Sequence, residues 1–119
     1  TVEKSMRFVE LVKSPYLQVY PDSGNLMNAS LEPGAKNVYE DIELGRGHIV
    51  AAHLKETIPG HYREIPFGTG QIDFKRMVDT FLSIGVNRFT GEFWYVGQEN
   101  WLEDIKFANQ FLRSHFPNK

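Results

Sequence analysis

The chain has 119 residues, 41% hydrophobic and 24% charged, with a formal net charge of -2 at pH 7 and no cysteine. This is the length and make-up of one globular domain able to bury a core, and its slightly acidic balance supplies no basic field for a nucleic-acid backbone or an anionic membrane surface. No apolar run approaches the roughly 20 residues a membrane span needs, disulfides and thiolate metal sites are excluded, and with no signal peptide visible a cytoplasmic setting is expected.

In chain order, Val2, Met6, Val9 and Val12 share one helical stripe that Ser14-Pro15 ends, because proline lacks the amide and constrains its predecessor. "YLQVY", residues 16–20, is rich in β-forming side chains and runs into Pro21-Asp22-Ser23-Gly24-Asn25, the composition of a turn. Val38, Tyr39 and Ile42 predict a short helix ending around Gly45 to Gly47. "HIVAAH", residues 48–53, predicts a second strand, and the segment from Leu54 to Ile72, with two prolines and three glycines, predicts a long loop of the kind that carries function. Asp73 is placed to cap a helix whose stripe is Phe74, Met77, Val78, Phe81 and Leu82, with Gly85 at its stop. "RFTGEFWYV", residues 88–96, predicts a third strand, and Trp101, Ile105, Ala108 and Leu112 a last helix finishing near Phe116-Pro117.

The order is α-β-α-β-α-β-α, three strands and four helices. Strands joined through helices run parallel, and parallel sheets are covered on both faces, which explains why "HIVAA" is apolar throughout. Three parallel strands alone leave two open edges. The pattern is therefore that of part of a larger α/β fold, and a (β/α)8 barrel is the commonest fold that contains three such units.

Barrel sites form where the strands' carboxyl ends meet the loops, and each predicted strand ends in a potential ligand or acid/base: Asp22, His53 and Glu92. One imidazole and two carboxylates suit a divalent Mn, Mg, Co or Zn ion and do not resemble a closed structural zinc site. Each residue has a plainer reading. Asp22 alone could cap backbone amides in a turn, and His53 alone could be a satisfied core histidine. Glu92 is harder to dismiss, since an unpaired carboxylate in a buried strand needs a cation or a proton. The loop adds Lys55, His61, Arg63 and the "PFGTG" turn at residues 66–70, whose glycine amides and cations suit an anion such as a phosphate, against the alternative of a solvated surface loop. Phe93, Trp94, Tyr95 and Trp101 are expected in the core or at a partner interface. His48 and His115 read as structural or solvent-facing.

"LQVYPDSGNL", "GHIVAAHLKETIPGHYREIPFGTGQIDF" and "GEFWY" resemble successive motifs of the L-ribulose-5-phosphate 3-epimerase family, also called L-xylulose-5-phosphate 3-epimerases and putative hexulose-6-phosphate isomerases. The resemblance runs over essentially all 119 residues and implies the C-terminal portion, a single fragment 1–119, of a xylose-isomerase-like TIM barrel. It further implies a divalent metal held by Glu, Asp, His and Glu, of which Asp22, His53 and Glu92 match here, while the first glutamate has no counterpart in the chain. Inversion at C3 of a ketopentose 5-phosphate is the implied reaction, with Glu92 as one proton-transferring base. Asn25 follows the motif "PDxGN" and is assigned with Lys55 and Arg63 to substrate. Expected partners are the phosphorylated ketose and either the N-terminal half of the barrel or another copy of the chain. On this resemblance the 119 residues alone are inactive; Thr1 as first residue is compatible with a processed chain or an excised piece. The alternatives are a hexulose-6-phosphate isomerase, an apurinic-site endonuclease disfavoured by the acidic balance, and an inert assembly module.

Overall fold

In the computed structural model, which describes residues 1–117, the elements are α1 (Val2–Val12), α2 (Ser23–Ala29), α3 (Val38–Glu43), β1 (Ala52–Leu54), α4 (Phe74–Ser83), β2 (Phe89–Gly91) and α5 (Trp101–Ser114). Strands β1 and β2 are parallel neighbours, with Ala52 opposite Phe89, His53 opposite Thr90 and Leu54 opposite Gly91. A third parallel track runs on the other side of β1, where Val19 bridges Ile49 and Asp22 bridges His53. This track is broken into single bridges because Pro21 has no amide to donate; its carbonyl still accepts from His53 N at 2.8 Å.

The helices number five rather than four among the described residues, because the segment expected to be only a turn continues as α2. Asp22 caps it, Oδ1 accepting from Asn25 N at 2.8 Å. Ser, Gly and Asn serve tight turns and first helical turns alike, so composition does not separate the two. The strands are also shorter than "HIVAAH" and "RFTGEFWYV" predict. Past Gly91 the chain leaves the end of β1, and only Glu92 N still donates across, to Leu54 O at 2.9 Å.

The core lies between the strands and the helices, around the fully buried Ile42, Leu54, Met77, Val78 and Phe81. Helix α4 buries Phe74, Met77, Val78 and Phe81 on one face, as its spacing predicts, and Asp73 caps it by accepting from Arg76 N at 2.9 Å. Helix α1 is tied to α3 electrostatically. The buried Asp41 carboxylate accepts the first free amides of α1, Val2 N at 2.7 Å and Glu3 N at 2.9 Å, which supplies both hydrogen bonds and a favourable charge at the helix's positive end.

No helix among the described residues is long and apolar enough to cross a membrane. Among the described residues, Phe8, Leu11 and Val12 are exposed on α1, and Tyr95, Val96, Trp101, Leu102 and Ile105 are exposed beyond β2.

Candidate functional site

Alternation along β1 sends Ala52 and Leu54 into the core and leaves His53 on the other face, half-buried. Asp22 stands beside His53 because the two residues bridge, and Glu92 follows the last paired residue of β2. Adjacent parallel strands thus deliver three side chains to one rim. One ligand atom from each of Asp22, His53 and Glu92 lies within 4.8 Å of the other two. His53 Nδ1 is 3.0 Å from Glu92 Oε2 and 4.0 Å from Asp22 Oδ2. The Tyr20 ring lies 4.5 Å from the imidazole, centroid to centroid, and its hydroxyl pairs with Thr90 Oγ1 at 2.8 Å, which limits how the imidazole can tilt.

Lys55, just past the end of β1, carries the opposite charge into the cluster. Only 5% exposed, its ammonium donates to Asn25 Oδ1 at 2.9 Å and lies 3.3 Å from Asp22 Oδ1 and 3.5 Å from Glu92 Oε1. Those three acceptors match its three N–H groups. Each carboxylate therefore turns one oxygen to Lys55 and keeps the other on the His53 side. Asn25 acts twice, donating its backbone amide to the Asp22 cap and holding Lys55 with its side chain. The Ser23 hydroxyl fixes the backbone beneath, accepting from Lys55 N at 2.9 Å and donating to Lys55 O at 3.1 Å.

Asp22 Oδ2 is buried and has no hydrogen-bond partner among the described residues. Burial raises the Asp22 pKa above its ordinary value, opposed by the Asn25 amide and by Lys55 and reinforced by the negative charge of Glu92. An orphaned carboxylate oxygen beside an imidazole nitrogen and a second carboxylate oxygen is a set that fits a divalent cation with mixed N and O ligands. The capping role expected of Asp22 as a turn residue and this second role coexist, one on each oxygen.

The other sequence-predicted residues separate. Arg63 lies outside the cluster, its guanidinium carbon 4.5 Å above the Trp94 ring centre. Phe93, Trp94, Tyr95 and Trp101 are exposed rather than in the core, with Phe93 and Trp94 lining a cleft of about 220 Å³ that also borders Lys55 and Glu92. His48 and His115 have local partners, Gln18 Oε1 at 3.2 Å and Phe111 O at 2.7 Å.

Sequence reasoning missed Asn28. This buried side chain spans the long loop, accepting from Gly60 N at 3.2 Å and Gln71 Nε2 at 3.0 Å and donating to His61 O at 3.3 Å. Its place in a segment read as irregular gave no signal. The loop it ties down is hydrogen-bonded at several points rather than loose.

The family model described as a xylose isomerase-like TIM barrel matches residues 1–115. The L-ribulose-5-phosphate 3-epimerases of Salmonella paratyphi A and Salmonella typhimurium are each 30% identical over 115 residues, 96% of this chain and 39% of theirs. A solved structure of L-ribulose 3-epimerase superposes with a TM-score of 0.66 at 21% identity, covering 97% of this chain and 42% of that one, and so shares the fold. The chain spans about two fifths of the length of the curated relatives it matches.

Proposed function

We propose, on the premise that this chain belongs to the xylose isomerase-like TIM barrel family, that it is the C-terminal, metal-holding part of a sugar-phosphate epimerase. The reaction we assign to the complete protein is inversion at C3 of a ketopentose 5-phosphate of the L-ribulose or L-xylulose type. The observation that carries the reading is that one ligand atom from each of Asp22, His53 and Glu92 lies within 4.8 Å of the other two at one rim, while Asp22 Oδ2 is buried and without a hydrogen-bond partner among the described residues. The same assignment of substrate is supported by the names of the relatives at 30% identity.

Asp22, His53 and Glu92 would hold the divalent ion, one of Mn, Zn, Co or Mg, which when bound supplies Lewis-acid polarisation of a carbonyl oxygen. Glu92 takes the C3 proton, leaving the electron pair delocalised onto the C2 carbonyl as an enediolate. A carboxylate on the opposite face, outside the 119 residues, returns a proton to C3 and completes the inversion without any oxidant. Lys55 keeps Glu92 and Asp22 oriented through one oxygen each. Its N–H groups are fully committed, and the loop amides of Gly68 and Ile72 that suited an anion are taken by the Glu56 carboxylate, so the phosphate falls to Arg63 more readily than to Lys55 or to those amides. Asn25 orients Lys55 and, through it, the site.

The partners we assign follow from the open edges of the strands and the apolar residues exposed on α1 and beyond β2: the N-terminal half of the barrel, or a second copy of the chain. The 119 residues alone are assigned no turnover. In ²H₂O the complete protein should exchange the C3 hydrogen of L-ribulose 5-phosphate and form its C3 epimer. Exchange at C1 of a hexulose 6-phosphate in its place would make it the isomerase instead, and turnover by the 119 residues alone would refute the need for the missing part.

A further inference from the structure

Glu56 lies two residues past the end of β1, next to Lys55, yet it takes no part in the cluster. Its side chain is buried, 2% exposed, and its hydrogen bonds among the described residues are all with the backbone. Oε1 accepts from Thr57 N and Ile72 N, both at 3.1 Å, and Oε2 accepts from Gly68 N at 3.0 Å. Three backbone donors satisfy a buried carboxylate without a cation. Two of them come from opposite ends of the 68–72 turn, so a single side chain pins that turn to the segment that follows β1. The approach is close: a methyl group built on Gly70 would overlap Glu56 Oε1 and Thr57 O. Gln71 N adds a bond to Thr57 O at 2.9 Å.

What the pinned turn places is Phe67. It is buried between Pro66 and Gly68, and its ring meets Phe93 edge-on at 6.0 Å and stacks on Phe111 at 5.9 Å. Phe93 follows Glu92 directly. Lys55, Glu56, Phe67, Glu92, Phe93 and Trp94 all border the 220 Å³ cleft. An apolar, aromatic wall facing a few fixed polar groups is the usual construction of a site for a small molecule, and the carbon chain of a sugar presents C–H edges to such a wall.

We infer that Glu56 is a positioning residue: its carboxylate fixes the 66–72 turn so that Phe67 forms the wall of the cleft that receives the carbon chain of the ketose. The inference rests on the epimerase reading for the identity of the ligand. It places Glu56 in substrate binding and outside both metal binding and proton transfer.

Glu56→Gln keeps the size but turns an amide N–H₂ toward a backbone N–H. In this variant hydrogen exchange at Gly68 and Ile72 should speed up by about ten-fold or more, while Mn²⁺ affinity of the chain stays within about two-fold of wild type. In the complete protein KM for the ketose should rise about ten-fold with kcat within about three-fold, the signature of lost binding rather than lost chemistry. Gly70→Ala, which disturbs the same contact from the other side, should give the same split. Faster exchange with an unchanged KM would overturn the inference, as would a parallel fall in Mn²⁺ affinity and kcat, which would make Glu56 a general structural support. A wild-type protein inert toward ketoses would end the epimerase reading and this inference together, and is told apart because it needs no variant.

Discussion

His53 Nδ1 on β1 and Glu92 Oε2 just past β2 lie 3.0 Å apart, although the chain between them passes through the long loop and helix α4. The contact places an imidazole nitrogen against a carboxylate at a point where Asp22 Oδ2 arrives from the other side without a partner of its own. Two of the three donors are thus partly satisfied by each other, and the third is not. The unbalanced member is the one whose behaviour should respond most to pH and to metal.

Asp22 carries a raised pKa because burial penalises its charged form. A raised folded-state pKa means that the native protein binds this proton more tightly than the unfolded chain, so in metal-free protein Asp22 favours folding increasingly as pH falls from the raised value toward the ordinary one. The stability difference between wild type and Asp22→Asn, followed by urea unfolding in chelator, should therefore move in favour of wild type as pH is lowered through that window. With saturating Mn²⁺ the trend should reverse, since the ion competes with the proton. A difference that is flat with pH in chelator would contradict the burial argument.

Lys55 is nearly inaccessible and holds both carboxylates. Replacing it with Met leaves two facing negative charges without their counter-charge, and removing one partner of a buried ion pair costs about 3 kcal/mol. Urea unfolding of Lys55→Met in chelator should show a loss of that order, and Mn²⁺ should restore part of it by supplying positive charge. A loss under about 1 kcal/mol would mean that solvent already screens the cluster.

Away from the site, Asp41 holds the free amides at the start of α1. Asp41→Ala leaves Val2 N unsatisfied in a buried position and should cost about 1–3 kcal/mol, read from thermal unfolding. Asp41→Asn retains an acceptor oxygen and should cost less. Equal effects of the two substitutions would assign the role to packing instead of hydrogen bonding.

Periodicity made α1 and α4 legible, because one face of each meets the core and the apolar spacing records that contact directly. The helix α2 was hidden because Ser23, Gly24 and Asn25 suit a turn as well as a first helical turn, and only the tertiary fit decides: a Cβ on Gly24 would collide with Thr57. The juxtaposition of Asp22, His53 and Glu92 could be anticipated, since each stands at a strand's carboxyl end and parallel neighbours share a rim. Lys55 and Glu56 are adjacent in sequence and equally buried, yet one enters the cluster and the other pins a turn. Both follow the end of β1, and what each side chain meets depends on segments distant in sequence. Arg63 could not be placed from composition for the same reason.

The central claim is that three side chains of this chain hold a divalent ion. Calorimetric titration of Mn²⁺ into the chain tests it most directly, with His53→Ala and Asp22→Asn alongside. Wild type should bind one ion, and each substitution should weaken binding by about ten-fold or more, as loss of a ligand requires. Equal affinity in wild type and His53→Ala would contradict the account, because the imidazole would then have no part in holding the ion.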